Sequence, residues 1–288
     1  MPESGTPCRG AQGEHTIMTK LHTFDVNAAL LAHLRWSMTL EAIIGGAHID
    51  KPMEGHESCS LGVWLYGEGV RCYGDNKTLW VLKVEHKQFH RLADEILEKF
   101  TAGSTAGIAV YMGKLRQVSR EVLFRLASLE LDASEASSGG GMQRLAAKVM
   151  KRLFGAAEPE DRRVLSVRGA RLAHLRWCRE VQDVLSGRKR KIDVKSSEAC
   201  DLGHWLRHRA SEEPRQPPEM EALDAVHRRF HASVQQVSDA LRQGDYPRAD
   251  DAYGDVYDSS PEIILQLTKL ELALEGSAVL SREPTINI

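Results

Sequence analysis

Residues 31–36 read LAHLRW, and the same letters return at residues 172–177. An internal repeat constrains a fold more than any local pattern does, because every copy has to solve the same burial problem. The separation is 141 positions, and it holds along the chain. Cys59, Leu61, Gly62, Trp64 and Leu65 meet Cys200, Leu202, Gly203, Trp205 and Leu206. His86, Phe89 and His90 meet His227, Phe230 and His231. Farther on, Ser119, Glu121, Leu126, Leu129 and Glu130 meet Ser260, Glu262, Leu267, Leu270 and Glu271. One register with no net insertion means a duplicated domain, not a short solenoid period. The length of 288 residues accommodates two such domains.

The repeat also filters the 12 histidines and 5 cysteines. His15, His22, His48, His56, His204 and His208 have no histidine in the other copy. Cys72 faces Glu213 and Cys178 faces Ser37. What survives is His33/His174, Cys59/Cys200, His86/His227 and His90/His231. Three imidazoles and one thiolate are the number and type of ligand that a closed tetrahedral zinc takes. The expectation is therefore two zinc ions per chain, one per repeat, each with a net charge of +1 over its ligands.

Hydrophobic spacing places these ligands on helices. Residues 25–45 carry Val26, Leu30, Leu31, Leu34 and Met38 on a helical period that Gly45-Gly46 ends. His33 and Trp36 are three apart and share a face, so the indole can wall off the ligand. A short helix entered at or beside Cys59 follows over 58–65, where helix N–H groups would favour thiolate. In the pattern over 76–102, His86 and His90 stand one turn apart on one face. Residues 105–132 supply the fourth helix, with Gly103 as the turn before it. The second copy repeats this near 163–187, 200–209, 218–243 and 245–275, and Pro261 is expected to kink or restart its last helix.

No run of alternating β-branched residues suggests a sheet. The fold expected is all-α: two tandem antiparallel four-helix bundles, each with three long helices and one short ligand-bearing helix, related by a pseudo-two-fold. The first bundle spans 25–132 and the second 163–276, with a disordered segment at 1–24 and a flexible tail at 277–288. The linker 133–162 opens with ASEASSGGG. It continues as MQRLAAKVMKRLFG (142–155), which puts Met142, Leu145, Ala146, Val149, Met150, Leu153 and Phe154 on one stripe and its basic residues off it. Packing on a bundle is the first reading of this stretch. Contact with a membrane or partner is the second.

Lys plus Arg is 38 and Asp plus Glu is 40, so 38 − 40 leaves a net charge of −2, which argues against nucleic acid as the main partner. The N-terminus has no apolar secretory core, and an odd cysteine count without a dense pattern points to a reducing cytoplasm. Enzyme readings fail on the residues. HKQFH and HRRFH have the histidine spacing of a zinc protease helix but lack its Glu. Four protein ligands leave no open position for water or substrate. Inward Glu-x-x-His pairs of a di-iron bundle do not recur.

Taken together, His-x-x-Trp, Cys-x-Leu-Gly-x-Trp and His-x-x-x-His in a four-helix setting resemble the chemoreceptor zinc-binding (CZB) domain family, over residues 25–132 and 166–275. The resemblance implies a bacterial cytoplasmic regulatory domain that holds zinc on His33, Cys59, His86 and His90, and again on His174, Cys200, His227 and His231. It implies that Cys59 and Cys200 are the redox-reactive groups, responding to zinc availability or to oxidants such as hypochlorite. Trp36, Trp64, Trp177 and Trp205 are expected to pack as walls of the two sites. No cyclase, coiled coil or other output module accompanies the copies within these residues. The implied partners are the two repeats themselves, a homodimer, or a separate signalling protein such as a chemoreceptor or diguanylate cyclase. A structural zinc staple and a zinc buffer are the competing roles.

Overall fold

The computed structural model describes residues 25–48, 54–104, 106–137, 166–212 and 217–280. The segment 1–24 and the basic stripe 142–155 lie outside them. Among the described residues the elements are helical throughout, with no strand. The first repeat holds α1 (Val26–Ile44), α2 (Ser60–Tyr66), α3 (Glu68–Tyr73), α4 (Lys77–Thr101) and α5 (Ile108–Ser137). The second holds α6 (Val167–Leu185), α7 (Asp201–Glu212), α8 (Pro218–Gln243) and α9 (Tyr246–Leu280). The chain divides into two compact units, one per repeat.

Each long helix begins where its sequence supplies an acceptor for unpaired N–H groups. Asp25 takes the N–H of Ala28 at 3.1 Å to open α1, and Ser166 takes that of Gly169 at 3.1 Å to open α6. Asn76 caps α4 through the N–H of Thr78 at 2.8 Å. At the other ends, Gly103 turns between α4 and α5 at φ 69°, and Gly244 between α8 and α9 at φ 73°. These positions open the tight connections that make neighbouring long helices antiparallel.

Within the first unit α4 and α5 share the longest contact, and α1 lies against both. Leu40, Phe89, Leu92, Ala93, Ile96, Ile108, Met112 and Leu115 form a buried cluster between them. The second unit builds its core the same way around Phe230, Val234, Val237, Ile263 and Leu267. The short helix sits at one end of each trio of long helices, where its cysteine meets the paired histidines. Each unit is thus a bundle of three long helices closed by a short ligand-bearing one.

Several details differ from expectation. After Tyr66 the chain makes a further turn-rich helix, α3, that periodicity did not reveal. Gly67 separates it from α2 with φ −111° and ψ −103°, whereas the second repeat has His208 there and α7 continues unbroken. α5 runs on through Ser137 and α9 through Leu280, into residues expected to be linker and tail. Pro261 lies inside α9 without restarting it. The hydroxyls of Ser259 and Ser260 both donate to the carbonyl of Val256, at 3.1 and 2.9 Å, just before the residue that cannot donate.

One buried charge was also unforeseen. Arg171 is fully buried and its Nη1 donates to Glu271 Oε2 at 2.6 Å, while the matching position in the first repeat is the buried Leu30. Removing one partner of a buried ion pair strands the other, which typically costs about 3–5 kcal/mol. Arg171→Leu should therefore lower the urea stability of the second unit by about that much. Arg171→Leu with Glu271→Leu should restore most of it, and equal losses for the single and double variants would refute a paired role.

Candidate metal centre

Cys59 occupies the N-cap of α2, and its Sγ accepts the N–H of Gly62 at 3.2 Å. Cys200 does the same at the start of α7, taking the N–H of Gly203 at 3.3 Å. The glycine of Cys-x-Leu-Gly follows from this geometry. A Cβ on Gly62 would collide with the carbonyl of His56, and one on Gly203 with that of Ser197. The loop before the cysteine passes so close to the helix that only glycine fits.

The paired histidines project from the middle of α4 and α8 towards these sulfurs. Cys59 Sγ is 3.3 Å from His86 Nε2, and Cys200 Sγ is 3.2 Å from His227 Nε2. His227 and His231 bring their Nε2 atoms to 3.0 Å. In each repeat the donor atoms of Cys59, His86 and His90, or of Cys200, His227 and His231, lie within 4.8 Å of one another. Zinc bonds of ~2.0–2.3 Å in a tetrahedron set neighbouring ligand atoms roughly 3.3–3.6 Å apart. The donor pairs at 3.0–3.3 Å already stand near that spacing, and the remaining separations stay within 4.8 Å, so the thiol and two imidazoles fit the ion.

The protonation states fit as well. Burial, reinforced by the neighbouring imidazoles, pulls His86 down to about 3 and His90 to about 4. The same causes pull His174 and His227 to about 3 and hold His33 well below its ordinary value. Burial also lowers His231. All six rings are therefore neutral at neutral pH and carry a free lone pair. His231 Nδ1–H donates to the Lys195 carbonyl at 2.8 Å, which leaves Nε2 unprotonated and facing the other donors. The backbone of Glu54, the matching residue, bonds His90 in the first repeat.

The thiols behave differently from expectation. Burial raises both Cys59 and Cys200, and the N–H groups of their own helices only partly offset it. The helix N-terminus alone does not make a thiolate here. A cation beside the sulfur would.

His33 and His174 stand next to these triads. His33 packs on Phe89 with ring centroids 4.3 Å apart, and its Nε2 faces the hydroxyl of Ser119 at 3.2 Å. His174 packs on Phe230 at 4.6 Å, and its Nε2 faces Cys178 Sγ at 3.4 Å, with Ser260 Oγ 3.3 Å beyond. These contacts engage Nε2, and among the described residues the donor atoms that lie within 4.8 Å of one another do not include those of His33 or His174. Ser119 and Ser260 share a repeat position, so the register held their signal. Cys178 was set aside because Ser37 faces it, yet it stands where the second repeat supports its first histidine.

Trp36 lies edge-on to His90 with centroids 5.0 Å apart, and Trp177 lies 4.4 Å from His231. Trp64 packs instead on Tyr73 at 6.0 Å, and Trp205 is part of the apolar core of the second unit. Of the carboxylates shared by the repeats, Glu121 pairs with Arg125 and Glu271 with Arg171, and Glu262 accepts from Gln266. A backbone carbonyl meets His231 and a hydroxyl meets His33. A cavity of about 300 Å³ opens onto the second site between Arg176, Trp177, Asp193, Lys195 and Cys200.

Residues 33–97 and 174–238 each match the family model of the chemoreceptor zinc-binding domain. Each match begins on the first histidine and takes in all four positions expected to hold zinc in its repeat. No curated protein and no solved structure matches the chain.

Outer partners of metal-bound histidines typically contribute 10- to 100-fold in affinity. Ser119→Ala should weaken zinc binding at the first repeat by roughly that factor and leave the second unchanged in a chelator competition. Equal affinities at both would remove Ser119 from this role. Gly62→Ala should cost the full chain one of its two zinc ions, by elemental analysis, because the clash pushes Cys59 off the triad. Burial pushes the Cys178 thiol up to about 12. It should stay unalkylated in the native protein at pH 8 while Cys72 reacts, and parallel modification of the two would contradict its buried placement.

Proposed function

We propose that this chain, which carries two tandem chemoreceptor zinc-binding domains, is a non-catalytic signalling protein of the cytoplasm. Its zinc-bound Cys59 and Cys200 respond to oxidants, and the response is passed to a separate partner. A chemoreceptor or a diguanylate cyclase is the kind of partner meant. The two repeats would pair with each other as an internal pseudo-dimer.

One observation carries the reading. In each repeat a single sulfur both caps the short helix and faces the histidines that would share its metal. Zinc, when bound, would supply the charge that keeps this sulfur a thiolate in a site where burial alone favours the thiol. The thiolate sulfur attacks the chlorine of hypochlorous acid, forming S–Cl and releasing hydroxide. Water then displaces chloride, leaving the sulfenic acid, chloride and a proton. Sulfenylation removes a ligand and weakens the cap in one event. The long helices keep their own buried cores and stand, while α2 or α7 is released from them.

The alternatives differ in what they predict. A structural staple holds its zinc through oxidation, and a buffer exchanges zinc freely without an oxidant. The test is a hypochlorite titration of the zinc-loaded full chain, followed by peptide mass spectrometry, zinc release and amide exchange. Cys59 and Cys200 should be oxidised before Cys72 and Cys178, with two zinc ions released and exchange rising in α2 and α7. Cys200 should lead, since the cavity reaches it and Cys59 is only 8% exposed. Uniform oxidation, or oxidation with unchanged exchange, would favour the staple. Iron or no metal in the protein as isolated would sink the site itself.

A further inference from the structure

Large apolar side chains stand in solvent along one side of the first repeat. Val63 and Tyr66 on α2, and Trp80, Val81 and Val84 on α4, are between 41 and 70% exposed. They form one surface rather than scattered points. Lys83 Nζ lies 4.3 Å from the Tyr66 ring centre and 4.8 Å from that of Trp80, bridging the two helices. The Trp80 indole is pinned by a hydrogen bond from Nε1 to the Gly74 carbonyl at 2.6 Å. Val84 follows Trp80 by one turn, and Val81, four residues before Glu85, extends the patch towards α5.

The bundle itself does not require this surface. At the same positions the second repeat has His204, Arg207, Glu221, Ala222 and Ala225. The architecture and ligands are shared, but the apolar patch is not. A contiguous exposed patch of this kind marks a contact surface.

The course of the chain identifies what covers it. α5 runs antiparallel to α4, and its last turns lie beside the start of α4. Arg125 Nε is 3.6 Å from Glu85 Oε1, and Asn76 donates to Asp132 Oδ2 at 2.8 Å. The helix ends at Ser137, five residues beyond the contact with the first turn of α4, and the apolar stripe of residues 142–155 begins at Met142. The residues between, Ser138 and Gly139 to Gly141, can span up to roughly 17 Å, enough to reverse direction onto the outer face of α4. A helical segment of this length is about 20 Å long, comparable to the N-terminal half of α4.

We propose that residues 142–155 dock as an amphipathic helix on the patch formed by Val63, Tyr66, Trp80, Val81 and Val84. Leu145, Val149, Met150 and Leu153 meet the patch, and Arg144, Lys148, Lys151 and Arg152 stay in solvent. The segment is then a fourth long element of the first unit. It is neither a membrane anchor nor an interface to a second copy of the chain. The proposal is independent of the metal reading, since a chain with two zinc ions and no such docking would leave that reading intact.

The test is a photo-reactive benzophenone amino acid at position 84 of the full, zinc-loaded chain, irradiated at low concentration and mapped by mass spectrometry. The main product should join position 84 to residues 142–155 of the same chain. It should fall at least tenfold when Val149→Asp and Leu153→Asp are added. Amides of 142–155 should exchange more than tenfold faster in Trp80→Glu/Val84→Glu than in the unmodified chain. Products joining two chains, products elsewhere in the unit, or no product would each overturn the proposal. Exchange in 142–155 at the rate of an unstructured peptide would overturn it as well.

Discussion

Everything distinctive about these bundles depends on a sulfur with two partners. Cys59 takes the N–H of Gly62 as the cap of α2 and stands within ligand distance of His86. Cys200 does the same for α7 and His227. A helix of seven residues such as α2 is far too short to persist unaided in water. Its burial of Leu61 and Leu65 contributes, but the sulfur is what ties its first turn to α4. The long helices need no such tie, because their heptad-scale apolar faces already close a core. The metal centre therefore bears on the part of the fold that is least stable by itself.

The imidazoles show the complementary principle. Their neutrality comes mainly from burial, and their orientation comes from fixed partners: the Lys195 carbonyl for His231 and the Ser119 hydroxyl for His33. The carbonyl can only accept, so it takes the hydrogen of His231 Nδ1 and leaves Nε2 with the lone pair. The repeats vary this support without altering the ligands. Cys178 stands in for a direct serine contact in the second, and Arg171, paired with Glu271, replaces the apolar Leu30. The two sites share a ligand set but not an environment.

Much of this was legible in the sequence, for a definable reason. Helix boundaries and paired histidines follow from period and spacing, and the repeat cancelled histidines that spacing alone could not, such as His48 and His204. What stayed hidden depends on backbone proximity or on contacts between distant positions. Nothing local marks the lysine at 195 as important, because its contribution is a carbonyl. Ser119 stood out only as a repeat position shared with Ser260, and its role follows from His33 beside it. α3 was missed because the break at Gly67 is a matter of two backbone angles, not of hydrophobic pattern. Of the two effects expected of Pro261, the restart does not occur: the helix continues, and the serine hydroxyls before it bond the Val256 carbonyl. The helix N–H groups favour thiolate as their position implies, but the burial that outweighs them depends on packing that no residue pattern shows.

The close approach at Gly62 has a mechanical consequence. The carbonyl of His56 fills the space where a side chain would be, and the N–H of Cys59 bonds back to the Gly55 carbonyl at 3.0 Å. Loop and helix are interlocked, and the Glu54 backbone at the far side of that loop is what steadies His90. If the proposed oxidation displaces α2, the piece that moves is therefore larger than the helix carrying the sulfur. A shift of α2 would draw on the loop interlocked with it, and with the loop the backbone that bonds His90. Sulfur and histidine support would then be disturbed together, on opposite sides of one site.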